Sequence, residues 1–451
     1  MKNKNLVMTE KIAARVAQKG GRTFFVGGYV RDKVMGKENK DIDIEIHGVT
    51  PECLGEILDG LGKRTEMGAD FGIFGLKGYD VDIAMPRKEE ATGRGHKDFT
   101  VFVDPFLGTE KAAKRRDFTM NALMEDVLTG ELIDHFGGVA DIRNGVIRHV
   151  NSRTFVEDPL RVLRAAQFAA RFGFQVANET VALSKTMDLS ALARERIMGE
   201  LEKALLKANT PSVFFEEMRK MEQLSVWFPE MLLLMGVMQN PQYHPEGDVW
   251  NHTMMVMDQA AGRKDKSSNP LGFMLAALTH DFGKVITTEE KNGMIRSIGH
   301  ETEGLDMIRT FLKRITNETK LIKYVLNMAE LHMLPYQMAR QKSEKKATNK
   351  MFDRSIDPAG LLQFVKSDYM GRTGSVPDEE ADQFLEKRLE IFYDTMEKPY
   401  VMGADLVAAG LKPGPYFSEI LAFSHKLRLA GVNKEDALRQ TLAFAKKNVT
   451  G

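Results

Sequence analysis

Nearly every short alternating apolar run in this sequence falls before residue 150, and the apolar stripes after it recur at helical spacing. "TFFVG", "DIDIEIHG", "FGIFGLKG" and "YDVDIAM" read as strands interleaved with helical stretches. "DPLRVLRAAQFAARFGF", "TPSVFFEEMRKMEQL", "WNHTMMVMDQAA" and "ADQFLEKRLEIFYDTM" carry period-3.6 stripes instead. Confinement of strand signals to one end predicts an α+β chain: a small head with a mixed β-sheet, then a long all-α region.

At 451 residues the chain exceeds one ordinary core, so several domains are expected. Lys plus Arg equals Asp plus Glu at 63 each, so any surface for a polyanion must be a local patch rather than a global field. A single cysteine, Cys53, excludes an intramolecular disulfide and fits a reducing compartment. With no bilayer-length apolar run and a polar start, the expectation is a cytoplasmic protein with no membrane partner. The 27 methionines lie mostly at helical spacing among Leu, Ala and Phe, as core filler. Stretches 262–270, 340–350 and 372–381 are polar and read as solvated loops, and "LKPGP" (411–415) as a rigid turn.

Alternation in "KDIDIEI" sends Asp41 and Asp43 to one face and Ile42, Ile44 and Ile46 to the other. Adjacent carboxylates are costly unless cations neutralise them, and oxygen ligands at this spacing suit Mg²⁺, two of which can clamp an in-line phosphoryl displacement. Upstream, Gly27 and Gly28 open the helix "YVRDKVMG", where bare backbone N–H groups can approach a triphosphate, and Arg31 one turn in can reach a phosphate. An Asp-x-Asp by itself would more simply be a solvated edge strand. The Gly-Gly-x-x-Arg-Asp a dozen residues earlier shifts that balance.

"GGYVRD" with "DID", then "KRRDFTMNAL" (114–123), then "EDPLRVLRAAQFAARFGF" (157–174) resemble, in order, the motifs of the nucleotidyltransferase family that comprises tRNA CCA-adding enzymes and bacterial poly(A) polymerases. The resemblance implies a nucleotidyltransferase head with Asp41 and Asp43 as Mg²⁺ ligands, and Arg116, beside Arg115 and Asp117, on the incoming nucleotide. In "EDPLRVLRAAQF", Pro159 suits a first helical turn, and Arg161 and Arg164 share one helix face. Asp158 can accept from an exocyclic amine and an arginine can donate to ring acceptors, so these side chains could choose cytosine or adenine without a template. Asp158 can also cap the helix and pair with an arginine. Gln167 stands where many members of the family carry a third arginine, which predicts a missing charge near the base or triphosphate.

His252 in "WNHTMMV", His280 and Asp281 in "ALTHDFGK", His300 in "IGHETEG", His332 in "ELHMLPY" and Asp368 in "VKSDYMGR" resemble the HD phosphohydrolases. Imidazole and carboxylate ligands suit Ni, Co, Mn or Fe. His252, His280, Asp281 and Asp368 can hold one metal, and His300 and His332 permit a second. Lys284 could neutralise a phosphate oxygen or simply be a solvated helical lysine.

Together the two resemblances imply a head at 1–150, a helical nucleotide- and RNA-binding neck at 151–240, an HD domain at 241–375 and a helical tail at 376–451. They imply addition of CCA to the 3′ end of tRNA from CTP and ATP, with a second phosphohydrolase activity. A poly(A) polymerase, a partial CC- or A-adding enzyme, and an HD phosphohydrolase with a merely RNA-binding head are the alternatives.

Overall fold

In the computed structural model, residues 3–66, 73–91 and 99–448 are described. The chain divides into two compact units: Met1–Leu201 with Val213–Val226, and Glu202–Ser212 with Trp227–Gly451. The stretch 151–240, expected as one neck, is therefore shared between both units.

The first unit is built on a seven-stranded sheet. Its strands are β1 (Arg22–Val26), β2 (Ile42–His47), β3 (Arg64–Glu66), β4 (Ile73–Leu76) and β5 (Val81–Ala84), followed, after a separate hairpin of β6 (Arg87–Ala91) and β7 (Phe99–Val103), by β8 (Met124–Asp126) and β9 (Leu132–Ile133). Phe71 and Gly72 of the "FGIFGLKG" run lie outside the described residues. The order is β3-β4-β5-β2-β1-β8-β9, in which β2 and β5 pair in parallel while β1 runs antiparallel to β2 and β8. The sheet is thus mixed, as expected.

Its centre matters most for function. β2 lies between β1 and β5, which excludes a solvated edge, and Ile42, Ile44 and Ile46 are at most 2% exposed. On the opposite face of β2, Glu45 and His47 are buried too, with a hydrogen bond of 2.8 Å between them. Helix Lys4–Gln18 buries Met8, Ile12, Ala13 and Val16 and packs on β1 and β2. The apolar stripe of helix Leu160–Phe172 buries Leu160, Val162, Leu163, Ala166 and Ala170, and the helix stops at Gly173 in the left-handed conformation.

The second unit is almost entirely helical. Helix Pro270–Thr279 is apolar all round and buried from Gly272 to Thr279, so it runs through the interior and delivers His280 and Asp281 from its end. Helices Val249–Ala261, Thr319–Leu331 and Pro358–Met370 pack against it. Side-chain caps fix where three of these four begin: Asp248 accepts from Asn251 N at 3.0 Å, Asn269 from Gly272 N at 2.9 Å and Asp357 from Gly360 N at 2.9 Å. One departure from the all-α expectation is the antiparallel hairpin Thr288–Lys291 and Met294–Ser297. Asn292 (φ 55°) and Gly293 (φ 70°) form its two-residue turn, the left-handed pair whose twist matches the strands. Among the described residues no helix is long and apolar enough to cross a membrane.

Candidate active sites

The first site is a cleft of about 930 Å³ in the first unit, lined by Gly27, Asp43, Arg116, Asp158, Arg161 and Arg196 among others. Gly27 caps helix Gly28–Val34 at φ 65°, and a Cβ there would lie 3.5 Å from Arg116 Nη1 and 3.6 Å from Asp43 Oδ2. The glycine pair therefore leaves backbone open beside a cation and a carboxylate, and Gly28 also lines the cleft.

Asp43 is half-buried on β2, and Asp41 sits exposed one residue before the strand, its N–H held by Asn39 Oδ1 at 2.9 Å. A third carboxylate joins them: the parallel register sets Asp82 of β5 opposite Asp43. Burial, then the charge of Asp82, pushes the Asp43 carboxyl up; Arg116 opposes this and Asp41 adds to it. Neighbouring carboxylates that repel one another, with oxygen as their only donor, fit a hard cation such as Mg²⁺. Asp82 belongs to a second Asp-x-Asp, "DVD" at 80–82, a signal in the sequence that only strand pairing makes meaningful.

Arg116 donates to Glu45 Oε2 at 3.2 Å and keeps 22% side-chain exposure towards the cleft. Asp117 ties this motif to helix Leu160–Phe172: Arg164 Nε donates to its Oδ2 at 2.7 Å, and Asn121 Nδ2 to its Oδ1 at 3.0 Å. Burial would raise Asp117, but the charge and hydrogen bonds of Arg164 and Asn121 hold it below the usual range. Arg161 donates to the backbone oxygens of Thr154 (2.6 Å) and Arg115 (2.9 Å). Asp158 does what a cap does, accepting from Leu160 N at 3.1 Å, and also pairs with an arginine. That arginine is Arg196, from helix Arg194–Lys207, whose Nη2 donates to Asp158 Oδ2 at 3.0 Å. Nothing local in the sequence marks Arg196, because the pairing spans 38 residues.

Arg31 and Gln167 are both more buried than their expected roles suggest. Arg31 lines the cleft, but its side chain is 5% exposed and already engaged, with Nε on Asp32 (2.8 Å), Nη1 on Asn121 (2.8 Å) and Phe172 beneath its plane. Its neighbour Asp32 neutralises the charge intended for a phosphate, so Arg31 braces the cleft wall. Gln167 is 1% exposed, with Nε2 unpartnered among the described residues, and is not among the side chains lining the cleft. The missing arginine therefore falls in the interior of the unit.

The second site gathers all six expected HD residues in the second unit. His252 Nε2 lies 2.9 Å from Asp368 Oδ1, His280 Nε2 3.3 Å from Asp281 Oδ2, and His300 Nε2 3.2 Å from both Asp281 Oδ1 and His332 Nε2. Asp281 thus turns one oxygen to His252 and His280 and the other to His300. Two donor groups share it: His252, His280, Asp281 and Asp281, His300, His332.

The outward nitrogens are fixed as metal ligands require. Nδ1 of His280, His300 and His332 faces the backbone oxygen three residues earlier, at 3.1, 2.8 and 2.6 Å. His252 Nδ1 instead meets Glu246 Oε1 at 2.9 Å. Each ring therefore turns Nε2 inward. His280 Nε2 is buried without a hydrogen-bond partner among the described residues, as are both Asp281 oxygens, although Lys284 Nζ lies 2.7 Å from Oδ2. A mixed imidazole and carboxylate set with orphaned ligand atoms fits a transition metal. Burial, with His280 and His300 alongside, pushes His332 down to about 3, so its ring is neutral. Burial would raise Asp281, but His280 and Lys284 hold it well below the carboxylate range. Lys284 is buried rather than solvated, and also donates to Gln239 Oε1 at 2.8 Å. Sequence reasoning missed Glu246, which lies six residues before His252 and bridges His244 and His252, each at 2.9 Å.

Comparison with known proteins identifies two domains. Residues 23–148 match the poly A polymerase head domain and residues 249–360 the HD domain. A multifunctional CCA protein of Nitrosospira multiformis is 39% identical over 315 residues, which is 69% of this chain and 73% of the relative. One from Methylobacillus flagellatus is 38% identical over 365 residues, covering 78% of this chain and 85% of the relative. The crystal structure of the Bacillus stearothermophilus CCA-adding enzyme in complex with CTP superposes with a TM-score of 0.67, covering 99% of this chain and 100% of that one. At 21% identity, that likeness shows a shared fold.

Proposed function

Because the chain belongs to the multifunctional CCA protein family, we propose that its first unit adds CCA to the 3′ end of tRNA from CTP and ATP without a nucleic-acid template. The observation that carries this reading is the carboxylate cluster of Asp43 and Asp82, with Asp41 beside it, next to a cleft that also contains Arg116 and Asp158. Asp41, Asp43 and Asp82 would hold Mg²⁺. When bound, Mg²⁺ supplies positive charge to the triphosphate and to the attacking oxygen. Gly27, Gly28 and Arg116 receive the triphosphate. The edge of the base meets Asp158, with Arg161, anchored on the backbone oxygens of Thr154 and Arg115, beside it, where an exocyclic amine next to a ring acceptor is favoured. The 3′-oxygen of the tRNA then attacks the α-phosphorus and pyrophosphate leaves.

The test is to incubate tRNA lacking its 3′ end with CTP alone, ATP alone and both, and to sequence the products. CCA ends with both nucleotides are expected. Long A-tails from ATP alone would make the protein a poly(A) polymerase. CC alone, or A alone on a CC end, would make it a partial enzyme, and no extension would leave a binding-only head.

A second activity is favoured by the paired donor groups around Asp281. The second unit is proposed to be a phosphohydrolase dependent on Ni, Co, Mn or Fe, held by His252, His280, Asp281 and Asp368, with His300 and His332 for a second ion. Bound metal supplies an activated water and charge neutralisation at phosphorus. Hydrolysis of 2′,3′-cyclic AMP with each of the four ions added tests it, and the absence of both metal uptake and turnover would refute it. A cytoplasmic location fits both activities.

A further inference from the structure

The metal-ligating side chains leave little access. His252 and His280 are fully buried, Asp281 is 2% exposed and His300 5%. Side chains around them that retain exposure include His244 (13%), Lys284 (10%), Asp368 (11%), Arg372 (21%) and Glu301 (29%). Of the two cations among these, Arg372 is the more open, and Glu301, the most open of all, is a carboxylate that would repel a phosphate.

The position of Arg372 is set, and its guanidinium makes no hydrogen bond among the described residues. Arg372 lies one turn beyond Asp368, just past the end of helix Pro358–Met370, and the next residue is anchored where Thr373 N donates to Glu246 Oε2 at 3.2 Å. The guanidinium carbon sits 5.4 Å over the Tyr369 ring. Nη2 comes only to 4.0 Å from Asp368 Oδ2, beyond hydrogen-bond distance, and Nε is buried without a partner among the described residues. Lys284 differs, since its ammonium is held at 2.7 Å by Asp281 and at 2.8 Å by Gln239. A planar cation whose donors make no hydrogen bond, beside the side chains proposed to hold metal, matches two oxygens of a phosphate group.

We propose that Arg372 is the phosphate-binding residue of the second site, gripping the non-bridging oxygens of a phosphate ester beside the side chains proposed to hold metal. The inference rests on reading that site as a phosphohydrolase and adds how its substrate is held. The ligand class is a phosphomonoester or phosphodiester, read by its phosphate.

The test uses the full chain loaded with Ni²⁺ or Mn²⁺, comparing the parent with Arg372→Ala and Arg372→Lys. Inorganic phosphate binding is followed by calorimetry, metal content by elemental analysis, and KM and kcat with 2′,3′-cyclic AMP. Loss of a charge-assisted pair should weaken phosphate binding and raise KM by about tenfold or more in Arg372→Ala. Metal content should stay at the parent level, and lysine, lacking the planar fork, should restore only part of the loss. Unchanged phosphate affinity in a metal-loaded Arg372→Ala overturns the proposal, as does a loss explained wholly by lost metal, which would make Arg372 a support for Asp368. A parent that takes up no metal and hydrolyses nothing removes the phosphohydrolase reading. Equal phosphate affinity of that parent and Arg372→Ala would then overturn the proposal as well.

Discussion

Asp43 shows how one residue's surroundings define its chemistry. Burial and the charge of Asp82 push its carboxyl up, against Arg116 and with Asp41 adding, so the group is most stable once a cation arrives. Asp43→Asn keeps the shape and removes the charge. It should lower transfer kcat by about a thousandfold while tRNA affinity stays near the parent value, because charge stabilisation acts mainly in the transition state. Parent-like transfer at saturating Mg²⁺ would end the assignment. Asp158→Ala tests base reading, and incorporation of UTP and GTP relative to CTP and ATP should rise by about tenfold or more. Unchanged discrimination at lower activity would reduce Asp158 to the cap its contact with Leu160 already makes it. Asp41, Asp43 and Asp158 were legible because alternation and a first-turn proline act over a few residues. Asp82 and Arg196 were not, since each gains meaning only from a partner brought close by folding.

At the scale of elements, helices were readable where an apolar stripe recurs, as in Leu160–Phe172 and Val249–Ala261, whereas Pro270–Thr279, apolar all round, shows no stripe. The hairpin at 288–297 was not readable, because its strands, "TEEK" and "MIRS", are polar and offer no apolar alternation, although the Asn-Gly turn was in view. Close backbone packing is also silent in a sequence. Gly283 follows the His-Asp doublet, and a Cβ there would lie 2.0 Å from the backbone oxygen of His300 and 2.9 Å from Gly304 N. Backbone cannot rotate away as a side chain can. Gly283→Ala should therefore cost about 3 kcal/mol of stability, seen as a lower melting temperature. It should also displace His300 and reduce bound metal on the side of Asp281 that His300 and His332 occupy. A variant with the parent's melting temperature and metal content would show that this contact relaxes freely.

For the whole molecule, the division into units and the division of chemistry coincide. Residues of the first site up to Arg196 fall within Met1–Leu201, and those of the second, from His244 to Arg372, fall within Trp227–Gly451. The donor sets differ as well, with carboxylates alone in one and imidazoles around a shared carboxylate in the other, so each set suits a different class of ion. The overall charge balance gave no sign of this, because it averages over both units. Separate units with separate ligands should be separately removable. Asp281→Ala deletes the one carboxylate common to both donor groups of the second site. It is expected to abolish hydrolysis of 2′,3′-cyclic AMP and most transition-metal uptake, while CTP and ATP addition stays within a few-fold of the parent. If addition instead fell in step with hydrolysis while the protein remained folded by circular dichroism, the two activities would depend on one another. Negligible metal in parent and variant alike, with no hydrolysis under any ion, would leave the second unit as a helical scaffold whose buried histidines serve packing alone.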